Sequence, residues 1–279
     1  MISFDLKGFY DPPDDPPKVT VQPDGVSEDQ IRDFPAFNIW CGTLRRSLYE
    51  QSTIEDHPFY DSPFKLKSIT IQSVDIFRNG QIGFLKLNAE IKNERGQELP
   101  GICFLRGGSV GILMILTPRD AIDEKWVIMT SQPRVPAGTL TFVEIPAGML
   151  DYHRGTFAGK AALEIEEETG LSIPTGELRD LTQLALEGSE IEEHKQLKPA
   201  MYPSPGGCDE YIALMLWEKE MDRQEIEDLK GRLTGLRTQG ELITLKLLPY
   251  AELWREGARD AKTLAAWALY EGLKRAGKL

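Results

Sequence analysis

Between Thr156 and Gly170 the residues dictate a helix and settle which way it faces. The stretch has no proline, opens on an N-capping residue and closes on a glycine suited to the left-handed C′ position. At about 100° per residue, Ala158, Ala162, Ile165 and Thr169 form one stripe for burial. With Glu164 at 0°, Glu168 lies at about +40° and Glu167 at about −60°, so three carboxylates share one face. Glu166 points away. Carboxylates three and four residues apart repel by a few tenths of a kcal/mol per exposed pair, and they sit at the end of the helix that disfavours anions. Taken alone the run has two readings. It is a solvated acidic face, as charge runs usually are, or it is balanced by a hard cation such as Mg²⁺.

The elements around this helix define a fold class. Asp11 to Pro17 is too rich in proline for helix. Ser27 and Gln30 form a capping box, which predicts a helix from about 28 to 49. From Lys67 the apolar period drops to two, predicting strands over 68–76 and 82–91 around an Asn79-Gly80 turn. Asn93 to Gly96 is a further turn. Segments 99–106 and 109–116 read as a strand pair or one bent strand, and 126–132, 140–145, 178–187, 210–218 and 240–248 as strands. Residues 222–232, 250–255 and 260–276 read as helices. The expected class is α+β, an α/β/α sandwich with a mixed sheet between helices. The expected divisions are a lead-in and helix over 1–65, a β-hairpin region over 66–98 and the main domain over 99–279.

Charge narrows the partners. Forty-four Asp and Glu against 32 Lys and Arg give a net charge of −12. That excess argues against a nucleic-acid binder, which needs a basic surface to displace counterions. It allows an anionic small molecule where a cation or a few arginines reverse the local sign. The three cysteines, Cys41, Cys103 and Cys208, lack metal-ligand spacing, and the histidines are isolated. No apolar run is long enough to span a bilayer, and no leader pattern opens the chain, so the cytoplasm is the expected location.

The stretch from Gly148 to Leu171 resembles the Nudix box, the signature of Nudix hydrolases. Leu163-Glu-Ile-Glu-Glu-Glu-Thr-Gly-Leu171 matches every defined position of its second half except the arginine, which is Leu163 here. The first half departs further. Gly155 stands where the box has its early glutamate, and Gly148 lies one residue too far upstream. Val143 to Asp151, Gln132 to Pro136, Ser204 to Glu210 and Gly240 to Trp254 extend the likeness to one branch. That branch is the ADP-sugar diphosphatases, most closely the plant-type enzymes acting on ADP-glucose and ADP-ribose.

The resemblance implies a Nudix fold and hydrolysis of an ADP-sugar to AMP and a sugar phosphate. It implies two or three Mg²⁺ or Mn²⁺ ions held by Glu164, Glu168 and the Ala147 carbonyl, with Glu167 sharing and Glu210 within reach. Arg134 corresponds to a diphosphate-binding arginine, and its planar fork suits phosphate oxygens. Arg106 is a second candidate, for phosphate or for an inter-subunit contact. The turn containing Ser204, Gly206 and Gly207 is read either as an ordinary turn or as the rim of the site. Glu241 and Glu167 are alternative general bases. Phe77 or Phe84 either stacks on adenine or packs in the core. In this branch the region before the main domain exchanges between subunits, implying a homodimer.

Leu163 removes a donor that orients the carboxylates, so either a neighbour such as Lys160 supplies the charge or activity is impaired. Two alternative functions therefore stand beside the main one. The first is a degenerate Nudix domain that binds a nucleotide without turnover. The second is a Nudix hydrolase of another nucleoside diphosphate derivative.

Overall fold

In the computed structural model, residues 1–10, 15–150, 157–189, 191, 195–235 and 242–279 are described, with backbone alone at Phe157, Lys160 and Glu164. The chain divides into two units. The first comprises Met1–Gly108, Ile191–Lys198 and Ser204–Glu210. The second comprises Ser109–Glu190, Pro199–Pro203 and Tyr211–Leu279.

The first unit contains β1 (Ile2–Asp5), β2 (Lys18–Val21), α1 (Glu28–Asp33), α2 (Pro35–Glu50), β3 (Lys65–Ile76), β4 (Ile82–Lys92), β5 (Glu98–Leu99) and β6 (Ile102–Leu105). One expected helix is two. Ser27 caps α1 through the capping box. Pro35 then bars αR at Phe34, which is extended at φ −77°, ψ 108°, and α2 starts with the proline at its first position. The sheet runs β1-β2-β3-β4-β5, with β6 also on β4, and β2 and β3 are parallel. The hairpin loop is one residue longer than an Asn-Gly turn alone. Phe77 N–H donates to Gln81 at 2.8 Å, Gly80 N–H donates to Phe77 at 2.9 Å, and Gly80 takes φ +83°. Segments 99–106 and 109–116 do not pair with each other. β6 pairs with β4, and the second segment belongs to the other unit.

The second unit holds β7 (Ser109–Pro118), β8 (Trp126–Arg134), β9 (Thr139–Glu144), β10 (Ala147–Met149), α3 (Phe157–Thr169), β11 (Arg179–Asp180), α4 (Leu181–Leu186), β12 (Ile212–Met221), α5 (Arg223–Glu227), β13 (Leu233–Thr234), β14 (Ile243–Pro249), α6 (Leu253–Glu256) and α7 (Ala261–Arg275). Its sheet runs β11-β12-β7-β8-β14-β13, with β10 on β7 and β9 on β8. β7 and β12 are parallel and buried on both faces for most of their length, hence their unbroken apolar sequences. Val110, Ile112 and Met114 pack on one face with Ala161 and Ile165 of α3. Leu113 and Ile115 pack on the other with Leu181 of α4 and Ala266, Tyr270 and Leu273 of α7. A mixed sheet between two helical layers is the α+β sandwich expected from the sequence.

Residues 178–187 form only a two-residue strand followed by α4. Asp180 Oδ1 accepts the Gln183 amide at 2.9 Å and starts a helix whose Leu181 and Leu184 face the core. The helix expected over 222–232 ends at Glu227, short of Gly231 at φ +77°. Among the described residues no helix is long and apolar enough to cross a membrane, and the three cysteines are free thiols.

Candidate active site

The buried stripe of α3 aims one of its glutamates inward. Of the expected stripe, Ile165 and Thr169 are fully buried but Ala158 and Ala162 only partly, and Ala161, nearer Glu168 around the helix, is fully buried as well; burial of Ile165 stabilises by about 1.5–3 kcal/mol. Gly170 closes the helix at φ +72°, its N–H donating to Glu166 at 2.9 Å. Glu168, at the edge of the acidic face nearest the stripe, is only 5% exposed, whereas Glu167 is exposed. The Glu168 carboxylate accepts the Ala147 amide at 3.0 Å through Oε2, and Gln132 Nε2 lies 3.5 Å from Oε1. The Ile145–Ala147 segment is itself anchored. Ile112 N–H donates to Pro146 at 2.9 Å, and Ala147 pairs with Gly111 of β7. The fold therefore brings Glu168 and Ala147 together. Leu163 is 46% exposed, off the buried stripe as its helical angle predicts.

Arg134 ends β8, and its Nε donates to Glu144 Oε1 at 2.6 Å. Neither of its terminal nitrogens has a hydrogen-bond partner among the described residues. Its side chain is 40% exposed, while that of Glu144 is 3% exposed. The other Glu144 oxygen accepts from Lys262 Nζ. Sequence reasoning assigned no role to Glu144 or Lys262. Their partnership spans 118 positions, and the available signal was a lone lysine just after the α7 cap, at a position facing the core.

Arg106, Glu210, the 204–207 turn, Phe77 and Phe84 lie in the first unit. Arg106 Nη1 pairs with Glu210 Oε1 at 3.2 Å. The amides of Arg106 and Gly107 donate to Asp209 Oδ1 at 2.7 and 3.1 Å. Burial raises the Asp209 carboxyl above its ordinary pKa, against the opposing pull of those amides. Gly207 and Cys208 N–H close the turn on the Ser204 carbonyl at 3.2 and 3.0 Å. Open space adjoins Gly206 and Gly207 where a side chain would stand. Phe77 and Phe84 pack edge to face at 5.5 Å, and Phe84 stacks on Phe104 at 5.5 Å.

Glu241, Gly155 and the Thr156 cap lie outside the described residues, as do the side chains of Glu164 and Lys160. Among the described residues no three His, Cys, Asp or Glu gather as a metal cluster. The contact shown is the buried Glu168 carboxylate on the Ala147 N–H of β10, and the groups named for a metal here are that carboxylate and the Ala147 carbonyl. Both offer hard oxygens, which fit Mg²⁺ or Mn²⁺ better than softer metals.

No family model matches the chain. It is 38% identical over 254 residues to Nudix hydrolase 14, chloroplastic, of Arabidopsis thaliana, covering 91% of this chain and 76% of that protein. It also aligns with the crystal structure of an ADP compounds hydrolase at 15% identity and a TM-score of 0.46, over 77% of this chain and 99% of the other. A likeness that loose says nothing about activity.

Proposed function

The chain belongs to the Nudix hydrolase family, and from that premise we propose that it cleaves the diphosphate bond of ADP-sugars, ADP-ribose and ADP-glucose, giving AMP and a sugar phosphate. The observation that carries the proposal is the buried Glu168 carboxylate held on the Ala147 amide, in the same unit as an arginine whose terminal nitrogens are uncommitted.

In this reading Glu164, Glu168 and the Ala147 carbonyl hold two or three Mg²⁺ or Mn²⁺ ions, with Glu167 sharing. When bound, the ions neutralise the diphosphate and acidify a water. The protein does the rest. The Ala147 amide fixes the Glu168 carboxylate, so its geometry is set before substrate arrives. The terminal nitrogens of Arg134 take a diphosphate oxygen. Glu167, exposed on α3, or Glu241 accepts the proton of the attacking water. Arg106 Nη1 and Glu210 Oε1 are already paired, so a phosphate at Arg106 or a metal at Glu210 competes with that pair. We place the enzyme in the cytoplasm as a homodimer formed through its first unit. Partly exposed Phe77 and Phe104 and exposed Ile102 on that unit support an apolar contact.

The test offers purified protein ADP-ribose, ADP-glucose and NADH with Mg²⁺ or Mn²⁺. AMP should appear from the ADP-sugars, and the ratio of kcat/KM ranks them. Leu163, standing at the box arginine, keeps a second reading in view: nucleotide binding without turnover. Binding with no AMP from any substrate would favour that reading and remove the first.

A further inference from the structure

Lys262 is a buried cation that the proposed chemistry does not use. It stands in the first turn of α7 with its side chain 10% exposed. Its ammonium meets two carboxylates, Glu144 Oε2 and, at 3.0 Å, Asp260 Oδ1. Asp260 in turn caps α7. Its Oδ2 accepts from Thr263 N at 3.1 Å and from Thr263 Oγ1 at 2.5 Å. Thr263 Oγ1 accepts the Ile145 amide at 3.0 Å, beside Glu144 and two residues before Ala147. One hydrogen-bonded chain therefore runs from Arg134 through Glu144, Lys262 and Asp260 to the start of α7.

Glu144 has two oxygens and two cationic neighbours. Arginine prefers to grip a carboxylate with two parallel N–H bonds, Nε to one oxygen and a terminal nitrogen to the other. Here that fork is not formed. Arg134 uses Nε alone, on Oε1, while Oε2 accepts from Lys262. We propose that Lys262 is a positioning residue for Arg134. By occupying Oε2 of Glu144, it stops Arg134 from closing a two-bond fork and keeps both terminal nitrogens for an anionic oxygen of a diphosphate substrate. The proposal rests on the reading that Arg134 binds the diphosphate. Without Lys262, Glu144 would be a buried carboxylate with one cationic neighbour, and that neighbour would turn inward to satisfy it.

The test compares Lys262→Met, which keeps the stem and removes the cation, with Lys262→Arg, Arg134→Ala and the double variant Arg134→Ala/Lys262→Met. Two quantities are read. One is the dissociation constant for ADP-ribose by calorimetry in EDTA, and the other is KM and kcat for AMP release with Mg²⁺. Lys262→Met should raise both the dissociation constant and KM about tenfold, roughly one charged hydrogen bond, with kcat within about twofold. Lys262→Arg should bind within about threefold of the starting protein. In the Arg134→Ala background, Lys262→Met should cost nothing further.

Unchanged binding in Lys262→Met, while Arg134→Ala binds weakly, overturns the positioning role alone. An equal loss in both backgrounds does the same, because Lys262 would then act by another route. If Arg134→Ala binds as well as the starting protein, the reading of Arg134 fails and takes this one with it. If Lys262→Met does not fold, Lys262→Met/Glu144→Gln decides. The glutamine oxygen accepts Arg134 Nε, but its NH₂ group accepts nothing, so the fork stays blocked and affinity should return to within about threefold. Failure of that rescue overturns the proposal.

Discussion

Replacing Glu168 by glutamine separates catalysis from structure, because the change keeps shape and removes charge. Glu168 is 5% exposed, and its carboxylate accepts the Ala147 amide at 3.0 Å. Gln132 Nε2, 3.5 Å from the other carboxylate oxygen, is at the limit of a hydrogen bond. A glutamine oxygen still accepts the Ala147 amide, so the loss is the margin between a charged and a neutral bond, about 1 kcal/mol. Relief of a buried charge offsets part of it. In a chain of this size that margin moves Tm by about 2–4 °C or less. Turnover should respond very differently. Losing even an outer partner of a metal ligand costs about 10–100-fold, so losing an anionic ligand should lower AMP release by about 100-fold or more. The assay is AMP release from ADP-ribose with Mg²⁺, beside a thermal melt of the same preparation. Turnover at the wild-type level in a folded variant would remove Glu168 from the metal site. A Tm fall beyond about 10 °C would show instead that its role is structural.

Other expectations are simpler to state. Leu163→Arg places a long side chain at a position 46% exposed and should change stability by no more than about 0.5 kcal/mol, with AMP release equal or higher. A large loss of turnover would refute the idea that an arginine there orients the carboxylates. Glu177 accepts Trp217 Nε1 at 3.0 Å and Lys219 Nζ at 3.1 Å, which hold its carboxyl below the usual carboxylate range. Its folded pKa is thus lower than its unfolded one, so its contribution is present above the unfolded value and lost as pH falls through the folded value. Melting curves of wild type and Glu177→Gln should differ at pH 7 and converge in acid, and a gap that widens on acidification would contradict the sign.

The parts legible in the sequence were those governed by neighbours along the chain. The acidic helix, its glycine stop and its exposed Leu163 followed from spacing alone, as did the strands around Gly80. The wheel put Glu167 and Glu168 on one face, but it could not show that Glu168 lies at the core edge and meets a backbone amide from β10. Two errors were local. The single helix expected over 28–49 breaks at Pro35, and a proline inside a helical run is itself a break signal. After Leu178 the expected strand gives way to α4, because Asp180 is an N-cap and Leu181 and Leu184, three apart, share a helical face. The rest depended on distant partners. Parallel pairing of β7 with β12, and the Glu144–Lys262 pair, join residues more than a hundred positions apart, where no local period carries the information.

The central claim is cleavage between the two phosphorus atoms of an ADP-sugar, and ³¹P NMR observes those atoms directly. Full-length protein is incubated with ADP-ribose and Mg²⁺, and then with EDTA in place of the metal. The account predicts that the two coupled diphosphate resonances give way to two separate phosphomonoester signals, AMP and ribose phosphate, only with metal present. Coupled resonances that persist with Mg²⁺, in a protein that demonstrably binds the nucleotide, would contradict it.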